Sequence, residues 1–320
     1  MNFKELKELD LSFNNISDIS VLERVKFEKL EILYLVDNKI SNINIFENVN
    51  FKELKELDLS FNNISDISVL ERVKFEKLEI LKLLANKISN LFEKVNFKEL
   101  KVLNLYENNI SDISVLEKVK LEKLEILYLG HNKISNINIF ENVNFKELKA
   151  LDLSVNNISD ISVLKMVKFE KFERLNLEYN KISNINIFEN VNFKELKELV
   201  LSFNNISDIS VFENVKFEKL EILNLQANKI SNINIFEKVN FKELKVLNLS
   251  CNKISDISVL ENVKLEKLEI LNLELNKISN INIFEKVNFK ELKELILSCN
   301  KISDISVLKK VKFEKLKYYI

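Results

Sequence analysis

The side chains that could carry chemistry in this chain are few and widely separated. His131 is the sole histidine, so no metal site built on two imidazoles can form, and no grouping of histidine with cysteine has the spacing of zinc ligands. A thiol and imidazole dyad would have to join Cys251 to His131, which lie five repeats apart, roughly 24 Å along a stack of strands. Gly130 is the sole glycine, which excludes a glycine-rich loop around phosphate. Carboxylates such as Asp10 and Asp58 recur, but with no acid or base of another kind beside them they read as surface. No catalytic, cofactor-binding or metal-ligating residue is therefore expected, and the chain is read as a non-enzyme.

Residues suited to recognition are more plentiful, and a repeat distributes them. The phrase L-x-x-L-x-L-x-x-N-x-I-S begins at Leu6 and returns at Leu30, Leu54, Leu78, Leu100, Leu124, Leu148, Phe172, Leu196, Leu220, Leu244, Leu268, Leu292 and, cut short, Leu316, mostly every 24 residues. A unit this small cannot bury its apolar face alone, so stacked copies must share one core. The expected fold is an α/β solenoid, a right-handed superhelix of about 13 complete repeats forming a single domain over 1–320. Positions are numbered below from the first leucine of each repeat.

In Leu6-Lys7-Glu8-Leu9-Asp10-Leu11 the leucines at positions four and six alternate with polar residues, the period of a half-buried strand. Strands returning in one direction pair as a parallel sheet, here a concave one, and each return crosses the opposite, convex side. Ser20-Val21-Leu22-Glu23 and Asn44-Ile45-Phe46-Glu47 have the form of a capping box, which predicts a helical turn or two there. Phe27 and its copies, such as Phe51, should stack into a buried spine. The asparagine at position nine, from Asn14 to Asn300, is expected to satisfy backbone groups between repeats rather than to act chemically. Lys7 and Lys55 alternate with Glu31 and Glu79 at position two, so neighbours about 4.8 Å apart meet opposite charges.

Positions three, five and seven then point to the concave face, with position eight at its rim. Scaffold positions hardly change along the chain, while these vary and include tyrosine and isoleucine in water, as an interaction surface would. The candidate protein-binding residues are Tyr34, Lys82, Tyr106, Tyr128, His131, Asp152, Arg174 and Tyr179, with the centre of the array the most individual part. Glu8, Asp10, Glu56 and Asp58 make the first third of that face acidic.

Composition narrows the partner. Lys+Arg 48 against Asp+Glu 49 gives a net charge of -1, without the basic excess that a phosphate backbone demands, so nucleic acid is not expected. No apolar run approaches the roughly 18 residues of a membrane span, so no membrane partner is expected either. Cys251 and Cys299, two repeats apart, are too far for a disulfide and are read as free thiols of a cytoplasmic protein. Asn15-Ile16-Ser17 and its copies match a glycosylation acceptor, but they read as by-products of the repeat.

The segment from Leu6 to Ile19 resembles the leucine-rich repeat, in the class found in bacterial internalins and in leucine-rich regulatory subunits of type-one protein phosphatases. That resemblance implies a curved solenoid whose concave sheet binds proteins, with no catalysis by the repeats. The matching positions are structural, so no functional residue carries over. Repeats of that class usually run about 22 residues, whereas most here run 24; only the fourth is short, with Ser89-Asn90-Leu91-Phe92 in place of Ser41-Asn42-Ile43-Asn44-Ile45-Phe46. The ends lack polar caps, which allows end-to-end self-association or a place in a larger protein. The leading expectation is a protein-interaction scaffold or adaptor.

Overall fold

Leucines at positions four and six leave room for only three residues of regular pairing before the chain must turn. The computed structural model describes residues 3–95, 97–311 and 313–319, with the backbone alone at 318 and 319. Two compact units result, Met1–Asn157 with Val167–Lys171, and Ile158–Met166 with Phe172–Ile320. Unit 1 carries β1 Glu8–Asp10, β2 Ile32–Tyr34, β3 Glu56–Asp58, β4 Ile80–Lys82, β5 Val102–Asn104, β6 Ile126–Tyr128 and β7 Ala150–Asp152. Unit 2 carries β8 Arg174–Asn176, β9 Glu198–Val200, β10 Ile222–Asn224, β11 Val246–Asn248, β12 Ile270–Asn272, β13 Glu294–Ile296 and β14 Tyr318–Tyr319.

Within each unit every strand pairs in parallel with its sequence neighbours, and like positions face like positions: Leu9 with Leu33, Leu33 with Leu57, Leu199 with Leu223. Each unit is therefore a coiled solenoid of strand and return. The register cannot slip, because a shift of one residue would turn the leucines to water. Leu33, Leu35, Leu57 and Leu59 are sealed from solvent, as are Leu223 and Leu225 in unit 2. The phenylalanine spine forms as expected: Phe51 and Phe75 stack with ring centroids 6.2 Å apart, and Phe46, on the return, meets Phe75 edge-on at 5.9 Å. Burying each such ring stabilises the fold by about 1.5–3 kcal/mol.

The returns are the short helical turns expected. They are 3-10 segments of four or five residues, such as Ser20–Arg24 and Asn44–Glu47, not α-helical turns. The capping box is absent, since the cap positions fall on Ile19 and Ile43, which offer no side-chain acceptor. Instead Asp18 Oδ1 accepts the Ser20 N–H at 2.8 Å, and Asn42 Oδ1 accepts the Asn44 N–H at 2.8 Å. A side-chain acceptor two residues back closes a tight Asx turn, which suits a segment of one turn better than a reciprocal cap does. Among the described residues the return from β4 to β5, in the short fourth repeat, is the one without a 3-10 segment.

The alternating charges form ladders, with Lys55 Nζ 2.5 Å from Glu31 and Lys149 Nζ 2.6 Å from Glu125. Such exposed pairs each contribute little, about 0–1 kcal/mol, but the alternation keeps like charges from facing each other. No helix among the described residues is long and apolar enough to cross a membrane.

Candidate functional site

The solvent face of each sheet is set by what happens where a strand ends. In every described repeat the residue at position eight is left-handed, with φ from 50° at Val155 to 58° at Phe13, and none of the thirteen is glycine. That conformation lets the chain keep pairing after the strand: the His131 N–H donates to the Ser154 carbonyl at 2.8 Å, and the next residue turns inward. The next residue is always the position-nine asparagine. Asn132 Nδ2 donates to the carbonyls of Leu105, Leu129 and Gly130 at 3.0 Å each, and its Oδ1 accepts the Ile110 N–H at 2.9 Å. The asparagine ladder expected from the sequence is thus an interrepeat hydrogen-bond column, and it aims the side chain of position eight outward at the rim.

Position five proves to have two occupants with different duties. Every aspartate or asparagine there accepts the N–H two residues on, as Asp152 does from Ser154 at 2.8 Å and Asn104 from Tyr106 at 3.0 Å. Part of the variation read as recognition is therefore turn chemistry, and Asp152 carries that structural duty. Tyr34, Lys82 and Tyr128 cannot serve the turn in this way. In unit 1 the register sets Asp10, Tyr34, Asp58, Lys82, Asn104, Tyr128 and Asp152 in one row. All but Asp10 and Asp58 are half-buried; Asp10 is exposed and Asp58 buried.

The acidic first third of the face is partly neutralised from within. Lys82 Nζ lies 2.7 Å from Glu56 and 3.7 Å from Asp58. Burial disfavours the Lys82 ammonium, but the hydrogen bond and charge of Glu56, with Asp58, outweigh it and hold its pKa above the usual lysine range. Burial, followed by the negative charge of Glu56, raises the Tyr34 phenol in the same cluster.

Further along unit 1, Tyr106 stacks on His131 with ring centroids 6.0 Å apart and planes 14° from parallel. A Cβ built on Gly130 would meet the Tyr106 ring at 2.6 Å and Ser154 Oγ at 2.7 Å, so the sole glycine is what gives the ring its place. Sequence reasoning missed this role of Gly130; the visible signal was Tyr106, which stands at position seven where the other odd-numbered repeats carry serine. His131 itself is exposed. Tyr128 is in register with Asn104 and Asp152 on the same face.

In unit 2 Arg174 is exposed on β8, in register with Glu198. Tyr179, 52% exposed, stacks on Phe203 with centroids 4.1 Å apart and planes 9° from parallel. Phe203 holds the same rim position one repeat on, a partner that the period alone could have named. Cys251 is half-buried and Cys299 exposed, both as free thiols. Among the described residues no group of three or more histidine, cysteine, aspartate or glutamate side chains is placed to hold a metal ion.

Comparison with known proteins agrees with this geometry. A family model described as leucine-rich repeats in two copies matches residues 4–48, 98–142 and 194–238, and a single-copy leucine-rich repeat model matches 53–70, 243–260 and 291–309. No curated protein matches the sequence. Among solved structures, an internalin of Listeria monocytogenes, InlF, is 29% identical with a TM-score of 0.80, over 98% of this chain and 86% of that one. A leucine-rich repeat protein of Leptospira interrogans is 25% identical with a TM-score of 0.75, over 97% of this chain and 84% of that one. The plant peptide hormone receptor RGFR1, solved in complex with RGF2, is similar in fold, with 22% identity and a TM-score of 0.66 over 97% of this chain and 54% of the receptor.

Proposed function

The chain belongs to the leucine-rich repeat family, in its internalin-like form, and from that premise we propose that it is a non-enzymatic scaffold or adaptor holding a protein partner on the solvent face of its sheet. The fold is typical of protein-interaction scaffolds. The observation that carries the reading is the placement of Tyr106. Its ring rests on Gly130 and against His131, so it is oriented before any partner arrives, and a pre-oriented aromatic loses little side-chain entropy on binding.

Around it unit 1 supplies Tyr34, Lys82, Tyr128 and Asp152 in the position-five row. Tyrosine is a frequent hot-spot residue, and Lys82 with Glu56 and Asp58 offers a charged pattern that selects among partners more than it adds affinity. In unit 2 Arg174 and the Tyr179 stack are the corresponding anchors. The free thiols support action in a reducing compartment, and cytoplasmic work is part of the reading. A plant receptor of the same fold holding RGF2 is consistent with a protein or peptide ligand.

The test is capture from the native cell with a photo-crosslinking residue at position 128, compared with Tyr106→Ala/Tyr128→Ala and, separately, Arg174→Ala/Tyr179→Ala. The reading expects a crosslinked protein that the first pair depletes at least about tenfold, the loss of a hot spot worth about 1.4 kcal/mol or more. Equal recovery with every variant would remove the sheet face as the binding surface.

A further inference from the structure

The short fourth repeat leaves a groove of about 720 Å³ lined by Lys94, Val95, Lys98, Lys118 and Lys120, together with the Lys123 and Glu99 pair and Glu122. Its charge follows from the deletion. In regular repeats a basic residue just after the 3-10 segment pairs with the glutamate that ends the segment of the preceding repeat. Arg72 lies 2.9 Å from Glu47, Lys238 3.1 Å from Glu213, Lys286 3.2 Å from Glu261 and Lys310 3.1 Å from Glu285.

Lys94 and Lys118 hold the same place in the fourth and fifth repeats, and the missing two residues cost both their partners. Glu71, which would meet Lys94, instead accepts the Glu93 N–H at 2.7 Å, closing the shortened return. Glu93, which would meet Lys118, forms no ion pair among the described residues. Neither lysine forms an ion pair among the described residues, and both are exposed. Five lysines against two glutamates leave the groove with an excess of three positive charges, on a chain whose net charge is -1. One of the five, Lys123, is already held by Glu99 at 2.6 Å.

We propose that this groove is a second binding site, on the return side of unit 1, for an acidic segment of a protein partner. Four uncommitted ammonium groups on two adjacent returns suit two or three carboxylates of an extended peptide, and buried Val95 with the lysine stems gives such a segment an apolar wall. A phosphate backbone fits less well. Nucleic-acid sites gather about six to ten phosphate contacts along a track, whereas this cluster is short and holds no arginine, the residue that forks onto phosphate.

Fluorescein-labelled hexaglutamate, titrated with the full chain and followed by anisotropy at low and high ionic strength, tests the proposal. Binding should be measurable at low salt and weaken as salt rises. Lys94→Gln/Lys118→Gln should weaken it at least about fivefold, and Lys286→Gln, outside the groove, should not change it. Restoring the regular return by inserting Ile-Asn between Asn90 and Leu91 should weaken it equally, because Glu71 and Glu93 regain their lysines. The proposal is overturned by absence of binding at low salt, by full binding in the double variant, or by tighter binding of hexathymidylate than of hexaglutamate.

Discussion

The ring of Tyr106 lies across Gly130, close enough that a Cβ on that glycine would stand 2.6 Å from Tyr106 Cε2 and 2.7 Å from Cδ2. The φ of Gly130 is not positive, so the glycine is there for space and not for backbone freedom. A methyl group must therefore push the ring aside. Because the ring is the outer end of a side chain that can swing, Gly130→Ala should cost little stability, about 1 kcal/mol or less. The stack on His131 should nevertheless be lost. Nuclear Overhauser contacts between the two rings read this directly, and their survival in Gly130→Ala would refute the packing argument. If the sheet face binds as proposed, Gly130→Ala should weaken the partner as Tyr106→Ala does.

The interrepeat column predicts a larger penalty at its asparagines. Removing the Asn132 side chain leaves the buried Ile110 N–H without an acceptor, while the Leu105 and Leu129 carbonyls each lose one donor and keep the amides of Asn108 and Asn156. The orphaned N–H costs about 1–3 kcal/mol and each of the two weakened carbonyls about 0.5–1.5 kcal/mol, so Asn132→Ala should destabilise by about 2–6 kcal/mol. Asn132→Asp keeps the acceptor but turns a carboxylate toward carbonyls, and should be no better at neutral pH. Amide hydrogen exchange of Ile110 and its neighbours is the measurement, since a repeat array can open locally without unfolding. Unchanged protection at Ile110 would refute the bonding role.

The column was legible in the sequence because one residue type recurs at one position. So were the leucine core, the phenylalanine spine and the alternating charges, all periodic. The left-handed turn at position eight was not, because phenylalanine, aspartate, histidine, valine and cysteine share no chemistry that announces it. The seat of Tyr106 was hidden for the opposite reason. It joins position seven of one repeat to position seven and position eight of the next, so no single repeat contains it. Reading Ser20 and Glu23 as a capping box failed because the match is one of spacing, and a single 3-10 turn is too short for the glutamate to reach back. The aspartate before it, two residues from Ser20, was the better signal.

Those aspartates predict an acid-sensitive step. In seven returns an aspartate, from Asp18 to Asp304, accepts the N–H and hydroxyl of the serine two residues on, and these bonds hold its pKa below the ordinary aspartate value of 3.8. A depressed folded pKa means that the unfolded chain takes up protons first as pH falls. The stabilisation is thus complete above the unfolded value near 3.8 and is lost as pH drops through the lower folded values. Five other returns perform the same turn with asparagine, as Asn138 shows by donating its N–H to Asn136 Oδ1 at 2.9 Å. Replacing all seven aspartates with asparagine should therefore flatten stability against pH below about 4 while leaving it nearly unchanged near neutrality. Urea midpoints across that range decide the matter, and an undiminished acid slope would count against these carboxylates as its source.

Val155 carries the least suitable side chain for its backbone. Its φ is 50°, and a β-branched residue in the left-handed region is strained by roughly 1–2 kcal/mol relative to its relaxed state. Asparagine tolerates that region because its short polar side chain bonds locally. Glycine would also relieve the strain but would loosen the unfolded chain, forfeiting much of the gain. Val155 is half-buried at the rim, so little apolar burial opposes the change. Val155→Asn should thus stabilise unit 1 by about 0.5–1 kcal/mol, with Val155→Gly close to neutral. Thermal midpoints of the two variants against the parent chain would show that order. A lower midpoint for Val155→Asn would mean that packing of the valine at the rim outweighs the strain of the turn.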